Sequence, residues 1–399
     1  MKPRLIAALL AATALAAPLA AEPSSIDFAA QAGAAEASAS PFARFAPAAD
    51  RREHRIDYAH WDEALGWFVV PMGPSLRQQP TPIAVNTGSR RVYGHDSRYR
   101  LEGNRVAFSY MTPQIISALG EYRADLERVG SEMDITRLPR NEQLAFWLNL
   151  HNVAVIEALA KEYPLAEPHE RQFGSNRAAL DEAKLVTIAG VELSPRDIRT
   201  RIVYPNWRDP KVIYGFWHGV IGGPSIQRLA YTGDNVDALL ALSGEEFVNS
   251  LRGVESWGNR LRLSPVYEEA APFYFANGDA LRTHLVQFAR EDVRDLVTRT
   301  QAVAYKPLER DIADLQRGEV EPQHNFLTQT DCKYESCAGA AASLNQSGGP
   351  SIRVNPAIAR LVRERREKLD RARRAGIRTG MVIYGDGEYS EGEAAREVE

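Results

Sequence analysis

Residues 141–163 read NEQLAFWLNLHNVAVIEALAKEY, and the architecture of the domain follows from this stretch. Its apolar residues, at 144–148, 150 and 153–156, point in nearly every direction around a helical wheel. A helix that is apolar on all sides is buried inside a protein. The pattern therefore predicts a central helix that ends before Pro164 and is wrapped by other elements.

Two amide side chains, Asn149 and Asn152, interrupt the apolar surface of this helix. They are three residues apart and so lie on one face. Burying an amide without a partner costs about 1 to 3 kcal/mol, so both side chains must form hydrogen bonds. Two interpretations stay open: the amides tie neighbouring loops to the central helix, or they line a cleft.

The flanking sequence mixes helix and strand signals. Thr112-Pro113 is a helix start, with a capping hydroxyl and a proline in the first turn. Ser194-Pro195 opens another helix, to about Ile202, with Asp197 at the capping-box position. The other expected elements are β-hairpins at Arg98–Tyr110, around Glu102–Asn104, and at Leu185–Leu193, a strand at Val212–Val220, and helices at Val236–Arg252 and Gly278–Thr300.

Strands that occur as hairpins, without regular alternation with helices, indicate the fold class. They favour an α+β fold over a doubly wound parallel sheet. We therefore expect a central buried helix with surrounding helices and a small antiparallel sheet.

The central helix also carries a family resemblance. Phe146–Asn152 is of the type F-W-[IL]-N-x-[YH]-N, which is similar to the central motif of the domain of unknown function 547 family. Other landmarks of that family are resembled by Tyr163-Pro164, Leu193–Ile198, Leu263–Pro265, Phe273–Phe275 and Leu281–Phe288. The resemblance spans roughly residues 57–290 and suggests no substrate.

The chain departs from the family at the residues that would carry its chemistry. Relatives usually show a stretch of the type H-F-A-[LN]-x-C-G-x-x-S-C-P, whose cysteines and histidine would be the natural nucleophile and base. The aligned positions here hold Ile213 for the histidine, His218 for the first cysteine and Gly223 for the second. Neither imidazole nor glycine replaces a thiolate in acyl transfer, so this chain should lack thiol catalysis.

The first of two functional hypotheses is a non-thiol binding or structural module. In it, a cleft beside the central helix holds an unknown small polar ligand or an envelope component. The amides of Asn149 and Asn152 and the aromatic neighbours Phe216 and Trp217 would contact that ligand.

The second hypothesis is a hydrolase or acyl transferase that uses a cleft with Asn149, Asn152, His218 and Ser225. Ser225 would be the nucleophile and His218 its base, and the Gly222-Gly223 amides would form an oxyanion site. Histidine, serine and Gly-Gly-Pro also occur together in ordinary turns, which favours the first hypothesis.

The N-terminus indicates export. Lys2 and Arg4 precede an Ala/Leu-rich run, and small residues stand before Glu22, so residues 1–21 are expected to be a signal peptide. Residues 22–56 would be a flexible Ala-rich leader, 57–300 the domain, and 301–399 a C-terminal extension. The mature protein would then be soluble and secreted, in the periplasm or outside the cell, without a transmembrane segment.

The C-terminal extension holds the two cysteines of the chain and two charged segments. Cys332 and Cys337 would form a disulfide bond in an oxidising compartment. Residues 358–378 would form an exposed basic helix, either solvated or in weak contact with an anionic surface, and an acidic tail follows.

Composition and charge exclude several classes of protein. The 399 residues are 44% hydrophobic and 25% charged, which is usual for a folded soluble protein. A formal net charge of -4 argues against a nucleic-acid partner. The histidines lack the spacing of metal ligands, so we expect no metal ion and no cofactor.

Overall fold

The structure is a computed structural model that describes residues 40–48, 54–82, 94–319 and 355–377. It has the predicted α+β fold, in which helices surround one central helix and the strands form small sheets. The longer helices are Ala59–Phe68, Pro113–Glu132, Arg140–Glu162, Val236–Val248, Pro265–Tyr274, Gly278–Phe288, Glu291–Arg299 and Pro356–Arg374. The strands are Val69–Val70, Arg105–Val106, Val186–Ile188, Val191–Leu193, Val254–Trp257, Arg260–Leu263 and Ala302–Tyr305.

Arg140–Glu162 is the predicted central helix, and it is buried along nearly its whole length. The side chains of Phe146, Leu148 and Ile156 are 0% exposed. Each of them stabilises the fold by about 1.5 to 3 kcal/mol through burial. The helix ends before Pro164, because proline has no N–H to donate to a further helical turn.

The helix Pro113–Glu132 packs on the central helix. Thr112 caps it as predicted, since the threonine hydroxyl accepts a hydrogen bond from the Ile115 N–H. Gly130 permits a close approach, because a Cβ atom there would lie 2.7 Å from the Phe146 ring and 2.9 Å from the Ile188 side chain. The glycine thus brings this helix against both the central helix and the neighbouring hairpin.

Val186–Ile188 and Val191–Leu193 form the second predicted hairpin, with Ile188 opposite Val191 around the Ala189-Gly190 turn. The hairpin packs on the helix Pro113–Glu132, and Ile188 and Leu193 are buried. The hairpin leads directly into the helix that carries the candidate site.

The helix after the hairpin begins with the predicted capping box of Ser194 and Asp197. It runs beyond the predicted end at Ile202, because a π-helical segment, Ile198–Val203, continues it to Asn206. Turns of π-helix are rare and are frequent at functional sites.

A mixed three-stranded sheet packs at the other side of the domain. Val254–Trp257 pairs antiparallel with Arg260–Leu263, and Ala302–Tyr305 pairs with the same strand in parallel. The domain end expected at residue 300 therefore lies just before a strand of this sheet. The domain boundaries otherwise stay predictions.

The hairpin predicted over residues 98–110 is wrong. Arg105–Val106 pairs with Val69–Val70 instead. The buried Arg105 guanidinium donates hydrogen bonds to the carbonyl oxygens of Tyr99 and Gly103, at 3.3 and 2.9 Å. These bonds hold the preceding loop in consecutive turns around the arginine, so it cannot pair with the residues that follow.

The strand predicted at Val212–Val220 is also wrong. Pro210–Gly215 is a 3-10 helix, and Asp209 caps it by accepting from the Lys211 N–H at 3.0 Å. Val220 forms an isolated β-bridge with Ile312. A short apolar run is compatible with any buried segment, so its periodicity could not distinguish a strand from this helix and loop.

Two helices differ in length from the prediction. The helix that begins at Val236 ends at Val248 rather than at residue 252. The helix predicted for residues 278–300 is two helices, Gly278–Phe288 and Glu291–Arg299. The helix is interrupted between them, where the Arg290 N–H donates a hydrogen bond to the Asn249 side chain at 2.7 Å.

Order begins before the predicted domain start at residue 57. Pro41–Phe45 is a short 3-10 helix within the segment expected to be a flexible leader. Phe45 is buried, and its ring lies 5.3 Å from that of Trp147 in an edge-on contact. The aromatic side chain anchors this part of the Ala-rich segment.

Pro356–Arg374 is the predicted basic helix, and one side of it is docked on the domain. Ile358 and Leu361 join the hydrophobic core. The Lys368 amine is buried and donates to the carbonyl oxygens of Met72 and Leu101, at 3.0 and 2.6 Å. The docked face is therefore fixed by both apolar and polar contacts.

Several predicted features lie outside the described residues: the signal peptide, Cys332, Cys337 and the acidic tail. Within the described ranges, none of the helices combines the length and the apolar character that a bilayer span requires.

Candidate functional site

Arg199 lies at the centre of a buried ionic cluster. Together with Asp181, Glu269 and His151 it forms what we call the Arg199 cluster. Arg199 comes from the π-helical segment, Asp181 from the loop before the hairpin, Glu269 from the helix Pro265–Tyr274, and His151 from the central helix. The Arg199 side chain is only 1% exposed. Four separate parts of the chain are thus held by one guanidinium group.

The two carboxylates bind the guanidinium in bidentate geometry. Glu269 accepts hydrogen bonds from Nε and Nη2 at 2.8 and 2.9 Å. Asp181 accepts one from Nη2 at 2.9 Å, and its other oxygen lies 2.8 Å from Nη1 in the ion pair. Nη1 also donates to His151 Nε2 at 3.3 Å. Each of the three side-chain nitrogens of Arg199 therefore donates at least one hydrogen bond within the protein.

His151 links the cluster to the central helix in one definite tautomer. Its Nε2 accepts from Arg199, so its proton is on Nδ1, which donates to Asn152 Oδ1 at 3.0 Å. Burial, and then the nearby Arg199 charge, lower the pKa of His151 well below its usual value. The ring is therefore a neutral connector with both nitrogens occupied.

Both carboxylates of the cluster stay ionised. Burial alone would raise the pKa of Asp181, but the Arg199 guanidinium overcomes that effect and holds the pKa well below its usual range. The same opposition of burial and Arg199 lowers the pKa of Glu269. The side chains are 43% and 20% exposed, so each carboxylate has one side on the guanidinium and another toward solvent.

His218 lies beside this cluster with an unused nitrogen. Its ring is partly exposed, but Nε2 is fully buried and has no hydrogen-bond partner within the described residues. Burial, and then the charge of Arg199, lower the pKa of His218 to about 4, so the imidazole is neutral at pH 7. The adjacent Gly219 has φ of 78° and packs close to Leu180, which precedes Asp181. The His218 loop and the Asp181 loop are therefore in contact.

The loop that carries Asp181 also forms one wall of a charged cleft of about 600 Å³. The end of the central helix forms the opposite wall. The cleft is lined by Arg123, Ala154, Glu157, Ala158, Lys161, Glu162, Glu170, Arg171, Gln172, Phe173, Gly174, Arg177, Lys184 and Leu185. None of the predicted site residues lines it.

Ser225 lies in a different polar network from His218. Its hydroxyl donates to Glu246 at 2.9 Å and accepts from Arg252 and from the Asn104 N–H, both at 3.1 Å. Ser225 is 5% exposed. Among the described residues the partners of this hydroxyl are Glu246, Arg252 and the Asn104 N–H, and they do not include the His218 imidazole.

The two central-helix amides bond to backbone in matching patterns. Asn149 donates to the Tyr231 carbonyl at 2.7 Å and accepts from the Tyr231 N–H at 3.0 Å. Asn152 donates to the Gly215 carbonyl and accepts from the Trp217 N–H, both at 3.0 Å. Each amide therefore fixes one loop to the central helix, and both are almost completely buried.

Phe216 and Trp217 also face the interior. They are 0% and 1% exposed, and the Phe216 ring meets His151 edge-on at 4.9 Å. The Trp217 ring stacks on Phe108 at 6.4 Å. The ligand-binding roles of these aromatic residues and of both amides stay predictions, and the structure gives each side chain an internal partner.

The described residues contain no group of three or more His, Cys, Asp or Glu side chains placed to hold a metal ion. The Arg199 cluster itself is organised by an arginine, whose charge occupies the position that a cation would take between the two carboxylates.

Sequence reasoning missed Asp181, Arg199 and Glu269. Arg199 contacts Asp181 across 18 residues and Glu269 across 70, so no local spacing links them. The turn around Arg199 also holds Arg196, Asp197 and Arg201, so charge alone did not mark Arg199 as the buried one.

A comparison with protein families finds one match. The family model described as Protein of unknown function, DUF547, matches residues 135–248. This range includes the central helix, Asp181, Arg199 and His218, and it is narrower than the resemblance over residues 57–290. No curated protein and no solved structure matches the chain.

Proposed function

We propose from the geometry of this domain, in which residues 135–248 match the DUF547 family model, that it is a non-thiol binding module. Its ligand is a small polar molecule that binds beside the Arg199 cluster and contacts His218. The observation that carries the proposal is the buried Nε2 atom of His218, which lacks a hydrogen-bond partner.

An unpaired buried nitrogen is costly. Leaving a buried polar atom unsatisfied costs about 1 to 3 kcal/mol, and most such atoms in folded proteins have a partner. His151 shows how the same fold satisfies an imidazole, since both of its nitrogens are bonded. A ligand that completes the hydrogen bonding of His218 would recover this cost on binding.

The Ser225 hydrolase receives less support. A serine nucleophile needs a base within hydrogen-bond reach of its hydroxyl. Ser225 has the carboxylate of Glu246 and the guanidinium of Arg252 as its partners, and these fix the hydroxyl in a buried ionic network. The arrangement suits a structural hydroxyl and leaves His218 without a nucleophile to activate.

The compartment belongs to the same proposal. We place the mature protein in the periplasm or outside the cell, on the basis of the signal-like residues 1–21 and the expected bond between Cys332 and Cys337. The ligand would then be a metabolite or an envelope component.

The basic C-terminal helix supports weak contact with an anionic surface on its outer side. Lys368 is buried, and Arg360 and Arg365 donate to the carbonyls of His95 and Pro71. The basic residues that remain exposed on the helix are Arg363, Arg366, Arg371, Arg373 and Arg374.

A thermal-shift screen tests the binding proposal. Purified protein is screened against envelope metabolites and cell-wall fragments, alongside His218→Phe and the control His169→Phe. His169 is an exposed histidine outside the Arg199 cluster, so its replacement should leave binding unchanged. Far-UV circular dichroism verifies that each variant is folded.

The proposal expects at least one compound that raises the melting temperature of the wild type and of His169→Phe but not of His218→Phe. It is contradicted if every stabilising compound acts equally on His218→Phe, or if the screen yields no stabilising compound.

A further inference from the structure

We infer that the ligand of the His218 site is an organic ammonium ion, held by the outer edges of Asp181 and Glu269 and by the imidazole of His218. This inference rests on the proposed binding function and adds to it the charge and chemical class of the ligand. It follows from which hydrogen-bonding positions the cluster has used and which it has left.

Arg199 cannot serve as an anion-binding residue. An arginine that binds carboxylate or phosphate offers paired N–H donors to the ligand. Each side-chain nitrogen of Arg199 already donates to Asp181, Glu269 or His151. An anionic ligand would have to displace these partners and would meet the two carboxylates beside the guanidinium.

The positions left open on the carboxylates are acceptors. Each ionised carboxylate has about four acceptor positions. Arg199 donates two hydrogen bonds to Glu269 and one to Asp181, whose other oxygen lies within ion-pair distance of Nη1. The exposed fractions of 43% and 20% leave the outer edges within reach of a ligand. A ligand that fits these edges must donate hydrogen bonds.

The charge balance favours a cation. Two carboxylates face one guanidinium, and both neighbouring imidazoles are neutral at pH 7, so the cluster has a net charge of −1. Arg196, a further cation on the same helical segment, is paired with Glu182 at 2.6 Å. An ammonium group restores neutrality and supplies up to three N–H donors.

His218 completes the set of acceptors. A neutral imidazole has one nitrogen that accepts a hydrogen bond. The unpaired Nε2 can take that role when the proton is on Nδ1, which is the tautomer that His151 adopts beside the same arginine. The ligand class is thus one whose N–H groups reach two carboxylates and one imidazole.

Isothermal titration calorimetry with two matched sets of probes tests the charge of the ligand. One set is glucosamine, glucose and glucuronate, and the other is ethanolamine, ethylene glycol and glycolate. Within each set the members have similar skeletons and differ mainly in charge. The variants are His218→Phe, Asp181→Asn, and Glu182→Gln as the control at an adjacent exposed acid.

The inference expects the ammonium member of a set to bind and its neutral and anionic partners not to bind. Asp181→Asn should weaken that binding about tenfold, since the carboxylate is partly exposed and its attraction is screened, and Glu182→Gln should change it less than about twofold. His218→Phe should weaken binding as well, because it removes the imidazole acceptor.

Two results separate the inference from the proposed function. Binding of glucuronate, glycolate or a neutral member that is lost in His218→Phe would overturn the ammonium class and leave His218 as a binding residue. If no probe binds, the ammonium inference fails, and the binding function depends on the thermal-shift screen alone.

Discussion

Replacing Asn152 with leucine tests how the central helix organises the domain. The wild-type amide bonds to the Gly215 carbonyl, the Trp217 N–H and the His151 Nδ1–H. Asn152→Leu would leave these three buried groups without partners, at about 1 to 3 kcal/mol for each group. The added apolar surface offsets less than about 2 kcal/mol, so we expect the variant to lose about 3 to 5 kcal/mol of stability.

Urea denaturation followed by tryptophan fluorescence and circular dichroism measures this loss. The midpoint should fall while the slope with denaturant stays constant. Asn149→Leu leaves two groups of Tyr231 unpaired and gains the same apolar offset, so it should lose about 1 to 3 kcal/mol. Gln114→Leu is the control, because Gln114 is exposed and its replacement should change stability by less than about 0.5 kcal/mol. Unchanged stability in both asparagine variants would refute the reasoning and return the amides to a cleft-lining role.

Three other predictions concern the C-terminal helix, the serine and the cysteines. Burial lowers the pKa of Lys368 to about 8, so between about pH 8 and 10.4 the folded state binds fewer protons than the unfolded state. The free energy of unfolding should therefore rise with pH in this range, and it should rise more steeply in the wild type than in Lys368→Met. Parallel pH profiles of urea unfolding check this, and equal slopes would count against a buried amine. A fluorophosphonate probe should not label Ser225, because its hydroxyl is held by buried charged partners, and mass spectrometry of the treated protein would expose the opposite result. Protein isolated from an oxidising compartment should begin at Glu22, and its intact mass should be about 2 Da below that of the reduced protein. Two alkylatable thiols in the unreduced protein would refute a bond between Cys332 and Cys337.

Local signals were enough to predict much of the fold. The all-round apolar pattern of residues 144–156 predicted the central helix, and Thr112-Pro113 and Ser194 predicted the starts of two others. Each of these signals acts within one or two turns of chain. They were confirmed because neighbouring packing reinforces them.

The errors occurred where distant contacts override local patterns. The hairpin expected around residues 102–104 does not form, because the Arg105 guanidinium donates hydrogen bonds to carbonyl oxygens of its own loop. The candidate site was only partly predictable for the same reason. His218 was singled out by its motif position, but Asp181 and Glu269 join Arg199 only through the tertiary fold.

Nitrogen-15 NMR of histidine side chains at pH 7 is the most direct test of binding at His218. We expect a neutral His218 whose Nε2 signal moves when ethanolamine or glucosamine is added. The signals of His151 should stay in place, because both of its nitrogens are bonded within the protein. A His218 ring that is protonated at pH 7, or whose signals do not respond to either amine while those of His151 do, would contradict the account.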